Sequence, residues 1–482
     1  VIRESFSERI NAPLDRVGRR QQPTYLESNK HSLPFQYTSF DLLKRLEKQR
    51  TLKDSFHQHH CWTTMISEPP EESLPATIPL AALALAVAFA SWGMFAVMAV
   101  SIQNDLALSH SRFGLLLAAP MLTGSLLSLP LGYLADTRGA KMVLIISLLA
   151  LLPALIGLSF AQGYAQFLVA GAGLGVACGV FSAGLSYTAA SAPRRHAGFA
   201  LGLFGAGIFG AAISYYTASL VGDAFGWRAT PFWNLIPVIF TAFFLGLMGD
   251  PSARVHRVST RGFHRFLKRP QLWRFALYFS FLFGSTIALV FWLPGFLQGS
   301  YDLSLRQAAT AAILFALPGS IMAFVGGWLA DRSGARRVSW TVFWICFVCL
   351  FLLSYPPMTL IIQGIDQPLE LRINLPLAGF LVLLLITGTA MGLGKGSVIR
   401  LAYNHYPRHM GTVGGLMVAL GSLTAAVLPL LFGLANDITD IRSAAFMLIF
   451  GLLCLCMVTL FFAERHSRDQ QLNPPYDRHL TI

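Results

Sequence analysis

Few residues of this 482-residue chain could do covalent chemistry, and their spacing argues against most of it. Asp223, Asp302 and Asp437 could serve as acids or bases, yet none has a His or Cys partner at a useful spacing, and acid–base work requires one in reach. Cys346 and Cys349 form a C-x-x-C, and Cys454 and Cys456 sit two apart, all in apolar runs where cysteine packs as a small hydrophobe. His57, His59, His60 and Cys61 cluster like metal ligands but lack a second pair at a zinc spacing. The Gly171-x-Gly173-x-Gly175 run lies inside an apolar stretch with no strand before it, so it reads as packing rather than a nucleotide loop. There is no Walker-type glycine loop, so ATP is not expected to drive anything directly. The chain reads as a non-enzyme without metal or cofactor. What remains is a lysine within an apolar run, Lys395, a scatter of hydroxyls, and a Gly/Asp/Arg pattern that occurs twice. That set suits reversible contact with a polar solute, and charges that pair and part.

The elements that must position these residues are set by composition. Hydrophobic residues make up 54% of the chain and charged ones 12%, with a mean hydropathy of +0.57. Soluble domains carry about 25% charged residues, so this chain cannot cover several globular surfaces. Twelve apolar runs of membrane-spanning length follow one another, at about 77–101, 112–134, 141–161, 165–189, 197–220, 230–249, 272–298, 306–330, 338–356, 374–396, 411–435 and 443–463. They are expected to be helices, because lipid leaves unpaired backbone groups unsatisfied and barrel strands would alternate. The expectation is an all-α membrane protein of twelve transmembrane helices in two six-helix halves, 76–249 and 272–464. A basic linker, 250–271, joins the halves, with a polar segment 1–75 before them and a tail 465–482 after. The first segment has one possible helix, Phe40–Lys53, and Met65 is the expected natural start.

The net charge of +13 is a topology signal. Nineteen Lys and Arg fall in the loops and C-terminal tail on the side of the N-terminus, against five on the other: Arg112, Arg228, Arg306, Arg372 and Arg442. By the positive-inside rule both termini face the cytoplasm, in the inner or cell membrane. The expected partners are the lipid bilayer and a small solute, not nucleic acid, with the chain a monomer.

The most informative pattern is a repeat at an offset of 195 residues. Gly124-Ser125 opens a segment that runs through Ser128 and Gly132 to Leu134-Ala135-Asp136-Thr137-Arg138-Gly139-Ala140-Lys141. Gly319-Ser320 opens its counterpart, running through Ala323 and Gly327 to Leu329-Ala330-Asp331-Arg332-Ser333-Gly334-Ala335-Arg336-Arg337. A looser echo pairs Pro193-Arg194 through Gly198 and Gly202 with Pro407-Arg408 through Gly411 and Gly415. Two parallel copies imply a site between halves that rock about it. Gly132 and Gly327 let neighbouring helices approach closely. Asp136 and Asp331 can pair with basic loop residues or with a helix N-terminus, and Gly139 and Gly334 permit a tight turn. These residues, with Arg138, Lys141, Arg332, Arg336 and Arg337, form the expected gate.

The repeated G-x-L-A-D-x-x-G-x-R/K loop resembles that of the major facilitator superfamily, and the resemblance covers about residues 76–465. Within it, Ala200 to Ala212, with Gly202, Gly205, Gly207 and Gly210, is similar to the glycine-rich span-five signature of nitrate/nitrite porters. Gly411-Thr412-Val413-Gly414-Gly415-Leu416 with Gly421 and Leu428-Pro429 is similar to the span-eleven signature. Gly392 to Ser397 before Tyr406-Pro407, and Phe291-Trp292-Leu293-Pro294, also fit. The resemblance implies alternating-access transport of a nitrate/nitrite-type inorganic anion. In that family an arginine from span two and one from span eight clamp the anion; Ser128 and Ala323 occupy the matching positions here. Ile208 replaces the usual asparagine of span five, and Ser422-Leu423-Thr424 replaces glycines of span eleven. Another small solute, such as a carboxylate, is therefore the alternative, and a non-transporting receptor a second.

The candidate cavity groups are Thr123, Ser128, Ser214, Tyr278, Ala323, Lys395 and Ser422, with Ser182, Ser186, Ser285, Ser320 and Thr424 as further hydroxyls. Lys395, read as one turn inside span ten, either serves as a surrogate anion contact or a gate, or snorkels to the cytoplasmic surface beside Arg400. Gly205, Gly207 and Gly210 of span five are expected to serve helix packing rather than solute contact.

Overall fold

A computed structural model describes residues 75–248, 267–356, 358–363, 368–373, 375–439 and 441–472. The expectations about Phe40–Lys53, the His57–Cys61 cluster and Met65 lie outside the described residues, as does most of the basic linker.

The apolar runs are helices. The first half comprises α1 (Thr77–Asp105), α2 (His110–Arg138), α3 (Ala140–Phe160), α4 (Tyr164–Ser191), α5 (Arg194–Phe225) and α6 (Thr230–Met248). The second comprises α7 (Pro270–Tyr301), α8 (Leu305–Ile321 continued by Ala323–Ser333), α9 (Ala335–Leu353), α10 (Leu377–His405), α11 (Met410–Thr439) and α12 (Ala444–Leu472). Among the described residues, eleven helices are long and apolar enough to span, and the bent pair in α8 makes the twelfth. Leu126, Val169, Tyr216, Ile236, Leu430 and Phe462 stay exposed, an outer apolar coat that suits lipid rather than water.

Two features depart from the expected boundaries. Lys395 is not one turn from the end of its helix: α10 runs ten residues past it to His405, because the apolar run stops at the charges while backbone hydrogen bonding does not. An antiparallel hairpin, β1 (Met358–Gln363) with β2 (Pro368–Ile373), fills the α9–α10 connection, pairing Met358 with Ile373 and Gln363 with Pro368. Five helices are irregular in mid-course, α3 at Ala150 and α4 at Leu174 and Gly175 among them. A 3₁₀ turn over Gly207–Phe209 interrupts α5, and a π turn over Ser280–Gly284 interrupts α7. The helix α8 bends by 41° at Met322, just after Pro318-Gly319-Ser320, where proline removes a donor and Gly-Ser offers little stiffness.

Candidate functional site

Each repeated loop turns as its glycine requires. Gly139 has φ 114° and Gly334 φ 92°, a region that L side chains rarely adopt. The loop therefore leaves each aspartate at the end of its helix, facing the other half.

Asp136 sits at the end of α2 and caps the start of α11. Its Oδ1 accepts from Gly411 N at 2.9 Å, and its Oδ2 from Thr412 N at 2.7 Å and Thr412 Oγ1 at 2.8 Å. Ser186 of α4 donates to Oδ1 at 2.7 Å. Asp331, at the end of α8, does the same for α5: Gly198 N donates to Oδ1 at 2.9 Å and Phe199 N to Oδ2 at 2.8 Å. Arg400 of α10 completes that contact, its Nε 2.8 Å from Oδ1. A carboxylate at a helix N-terminus satisfies orphan N–H groups and meets the positive end of the helix dipole. Both caps join one half to the other, so the four helices are latched crosswise.

The bases in the repeat have other neighbours. Arg332 lies over the Trp328 ring at 4.1 Å and Lys141 Nζ donates to the Gly246 carbonyl at 3.0 Å; Arg138, Arg336 and Arg337 are exposed. Sequence reading did not single out Arg400, Thr412 or the Gly198–Phe199 N–H pair as latch partners, and it placed Ser186 in the cavity. The second echo of the repeat, at Gly198 and Gly411, was their only signal.

Below the latches the same helices close up through glycine. A Cβ on Gly132 would meet the Gly411 carbonyl, and one on Gly327 the Gly198 carbonyl. One helical turn further in, Gly415 faces the Ser128 carbonyl and Gly202 the Ala323 carbonyl. Ser128 Oγ donates to Gly415 O at 3.1 Å and Ser125 Oγ to Ala419 O at 2.8 Å. The remaining signature glycines face elsewhere: Gly207 and Gly210 meet α1 at Ala82 and Ala86, Gly414 meets Leu185, and Gly421 meets Phe283.

The candidate cavity residues divide into two groups. Ser128, Ala323 and Ser422 lie where the halves touch, Ser422 Oγ being 3.3 Å from Cys178 Sγ of α4. Thr123 donates to the Ala172 carbonyl within the first half, and Ser214 donates to Ala211 O beside Gly93 of α1. Tyr278 packs edge-on to Phe343 of α9 within the second half. Sequence reading also passed over an aromatic cluster between the halves. Phe181 of α4 lies 5.6 Å from Phe279 and 6.5 Å from Phe283 of α7, and Phe89 of α1 lies 6.1 Å from Phe283. All four rings are buried. Phenylalanine in an apolar span carries no signal that separates an interface from a core.

Lys395 is 1% exposed. Its ammonium does not snorkel to the surface but donates to the Gly319 carbonyl at 2.8 Å, just before the bend in α8. The side chain of a helical residue leans toward the helix N-terminus, which here carries the charge inward.

Comparisons with known proteins agree with this geometry. Residues 81–429 match the Major Facilitator Superfamily. A "Probable nitrate/nitrite antiporter NarK1" of Thermus thermophilus is 32% identical over 395 residues, covering 78% of this chain and 88% of its own length. The "Nitrite extrusion protein" of Bacillus subtilis (strain 168) is 27% identical, covering 82% and 97%. Among solved structures, FucP, a transporter captured in the outward conformation, aligns with a TM-score of 0.61 over 79% of this chain and 98% of its own, at 16% identity, a likeness of fold alone.

Proposed function

The chain belongs to the major facilitator superfamily, a family of transporters rather than enzymes, and from that premise we propose that it carries a nitrate- or nitrite-type anion across a membrane by alternating access. The observation that carries the reading is the pair of crossed latches. A protein that rocks between two open states needs contacts between its halves that are strong enough to hold one side shut and few enough to release together. Two aspartate caps, each reaching the first turn of a helix in the other half, meet that description. The relatives named as nitrate and nitrite transporters direct the choice of solute.

The latch face is the cytoplasmic one, since it carries the excess of Lys and Arg, and the membrane is the inner or cell membrane. On this reading the conformation is one shut toward the cytoplasm. Solute would meet the halves where Ser128, Ala323 and Ser422 abut, and leave after both caps open. The unit of transport is a single chain, and no ATP is consumed directly.

Counterflow in proteoliposomes tests the proposal. Proteoliposomes loaded with unlabelled nitrate or nitrite should accumulate the labelled anion transiently. Counterflow of a simple carboxylate with neither nitrogen oxyanion active would replace the solute assignment, and no counterflow of any would remove the transport reading.

A further inference from the structure

We propose that Lys395 is the cation that receives the transported anion, at the bend of α8, so that the solute is held mainly by one ammonium from the second half. The inference rests on the anion-transport reading above and deepens it.

Three observations converge on this lysine. First, it is a buried charge-bearing group whose only hydrogen-bond partner among the described residues is the Gly319 carbonyl, and no carboxylate pairs with it there. A buried ammonium without a counter-ion is costly, and a lysine has three donors, of which one is engaged. A small oxyanion would supply both the charge and the acceptors.

Second, its place is where the halves meet. Ile399, one turn along on the same face of α10, reaches Gly205 of α5 in the first half. Gly396 packs on the Ala323 carbonyl, and Gly392 on Pro318 and Met322. Glycine on that side of α10 lets it lie close against α8, which puts Lys395 beside the bend and near the Ala323 position. Ala323 itself offers only a methyl.

Third, distortion gathers on the neighbouring helices. The bend at Met322 in α8, the 3₁₀ turn at Gly207–Phe209 in α5 and the π turn at Ser280–Gly284 in α7 all occur in mid-span. Irregular backbone at membrane depth is tolerated where it is buried in protein or lines a cavity, and single π turns occur often at functional sites. In the closed arrangement Lys395 is parked on Gly319 O. When the halves part on either side, its other donors face the gap, and the anion takes up the charge that the carbonyl only partly satisfies.

The test uses the whole purified chain in proteoliposomes, with nitrate and nitrite as probes. Lys395→Gln should raise the half-saturating anion concentration at least tenfold, and Lys395→Arg should recover most of that loss. Wild-type affinity in a well-inserted Lys395→Gln variant overturns the proposal while leaving the transport reading intact; a wild-type protein without counterflow sinks the transport reading itself. Should the glutamine variant fail to insert, reductive methylation of the wild-type protein read by mass spectrometry gives the answer. Nitrate should slow methylation of Lys395 and leave the exposed Lys268 unchanged, and equal methylation of Lys395 with and without anion overturns the proposal.

Discussion

Asp136 and Asp331 hold equivalent places in the repeat, yet their environments differ in charge. Asp136 receives two N–H groups and the hydroxyls of Ser186 and Thr412; Asp331 receives two N–H groups and the Arg400 guanidinium. The two aspartates stand out in the sequence because their flanking residues recur. Their partners do not, since the donors lie 50 to 276 residues away and are mostly backbone N–H groups, which every residue possesses. In both latches the two carboxylate oxygens take different N–H groups, and asparagine has only one acceptor oxygen. Asp331→Asn should therefore orphan one donor of α5 and lose the ion pair. A hydrogen bond to a charged group contributes about 1.5–3 kcal/mol, enough to raise the population open on the latch side by roughly ten- to hundredfold. Arg400→Gln should do less, because both N–H groups of α5 keep their carboxylate oxygens and only the ion pair, whose side chains are 15% and 8% exposed, is lost. Labelling of a cysteine at Ala330 by a membrane-impermeant maleimide from the cytoplasmic side would rank the two. An Arg400→Gln effect equal to that of Asp331→Asn would mean that the ion pair, not the helix cap, holds the latch.

At the scale of helices, closure depends on glycine faces. The contacts of α2 with α11 and of α8 with α5 are among the most extensive helix pairings in the fold, and at each the backbones touch where Gly132 meets Gly411 and Gly327 meets Gly198. Alanine at 132 or 327 would press a methyl into a backbone carbonyl that has no rotamer to yield. Gly132→Ala and Gly327→Ala should each abolish uptake by favouring the parted state while expression and insertion stay normal. Gly433→Ala, where the added carbon meets open space, should transport as the parent does. Uptake in Gly132→Ala within twofold of the parent would show that the helices need not approach so closely. The helices themselves were legible, because each apolar run has the length that a bilayer requires. Their irregularities were less so. The bend in α8 could be suspected only from Pro318-Gly319-Ser320, and α10 was cut short because hydropathy marks where apolar residues stop, not where the helix stops. That error placed Lys395 near a surface it does not reach. The division of the candidate hydroxyls was illegible for a related reason: a serine or threonine in a span bonds to a nearby carbonyl whether it faces its own half or the other, as Ser214 and Ser128 do.

For the molecule as a whole, the crossing of the latches has a mechanical consequence. Asp136 ties the end of α2 to α11, and Asp331 ties the end of α8 to α5, so each half contributes one carboxylate and one helix start. If the halves move as rigid bodies, neither contact can part alone: opening is a single equilibrium to which both latches contribute. Independent contributions to one equilibrium add in free energy, so the opening factors of Asp136→Asn and Asp331→Asn should multiply in the double variant. A more direct sign is action at a distance. Ala197 is buried beside the second latch, and nothing in an Asp136→Asn variant touches it directly. Rocking predicts that Asp136→Asn nevertheless raises the rate at which a cysteine at position 197 reacts from the latch side, by the same factor as it raises the rate for a cysteine at Ala135 beside the altered aspartate. Local fraying predicts a higher rate at 135 and an unchanged rate at 197. The ratio of the two accelerations thus separates a molecule that rocks from one that merely loosens at its edge, and a faster reaction confined to position 135 would dismiss the rigid-body account.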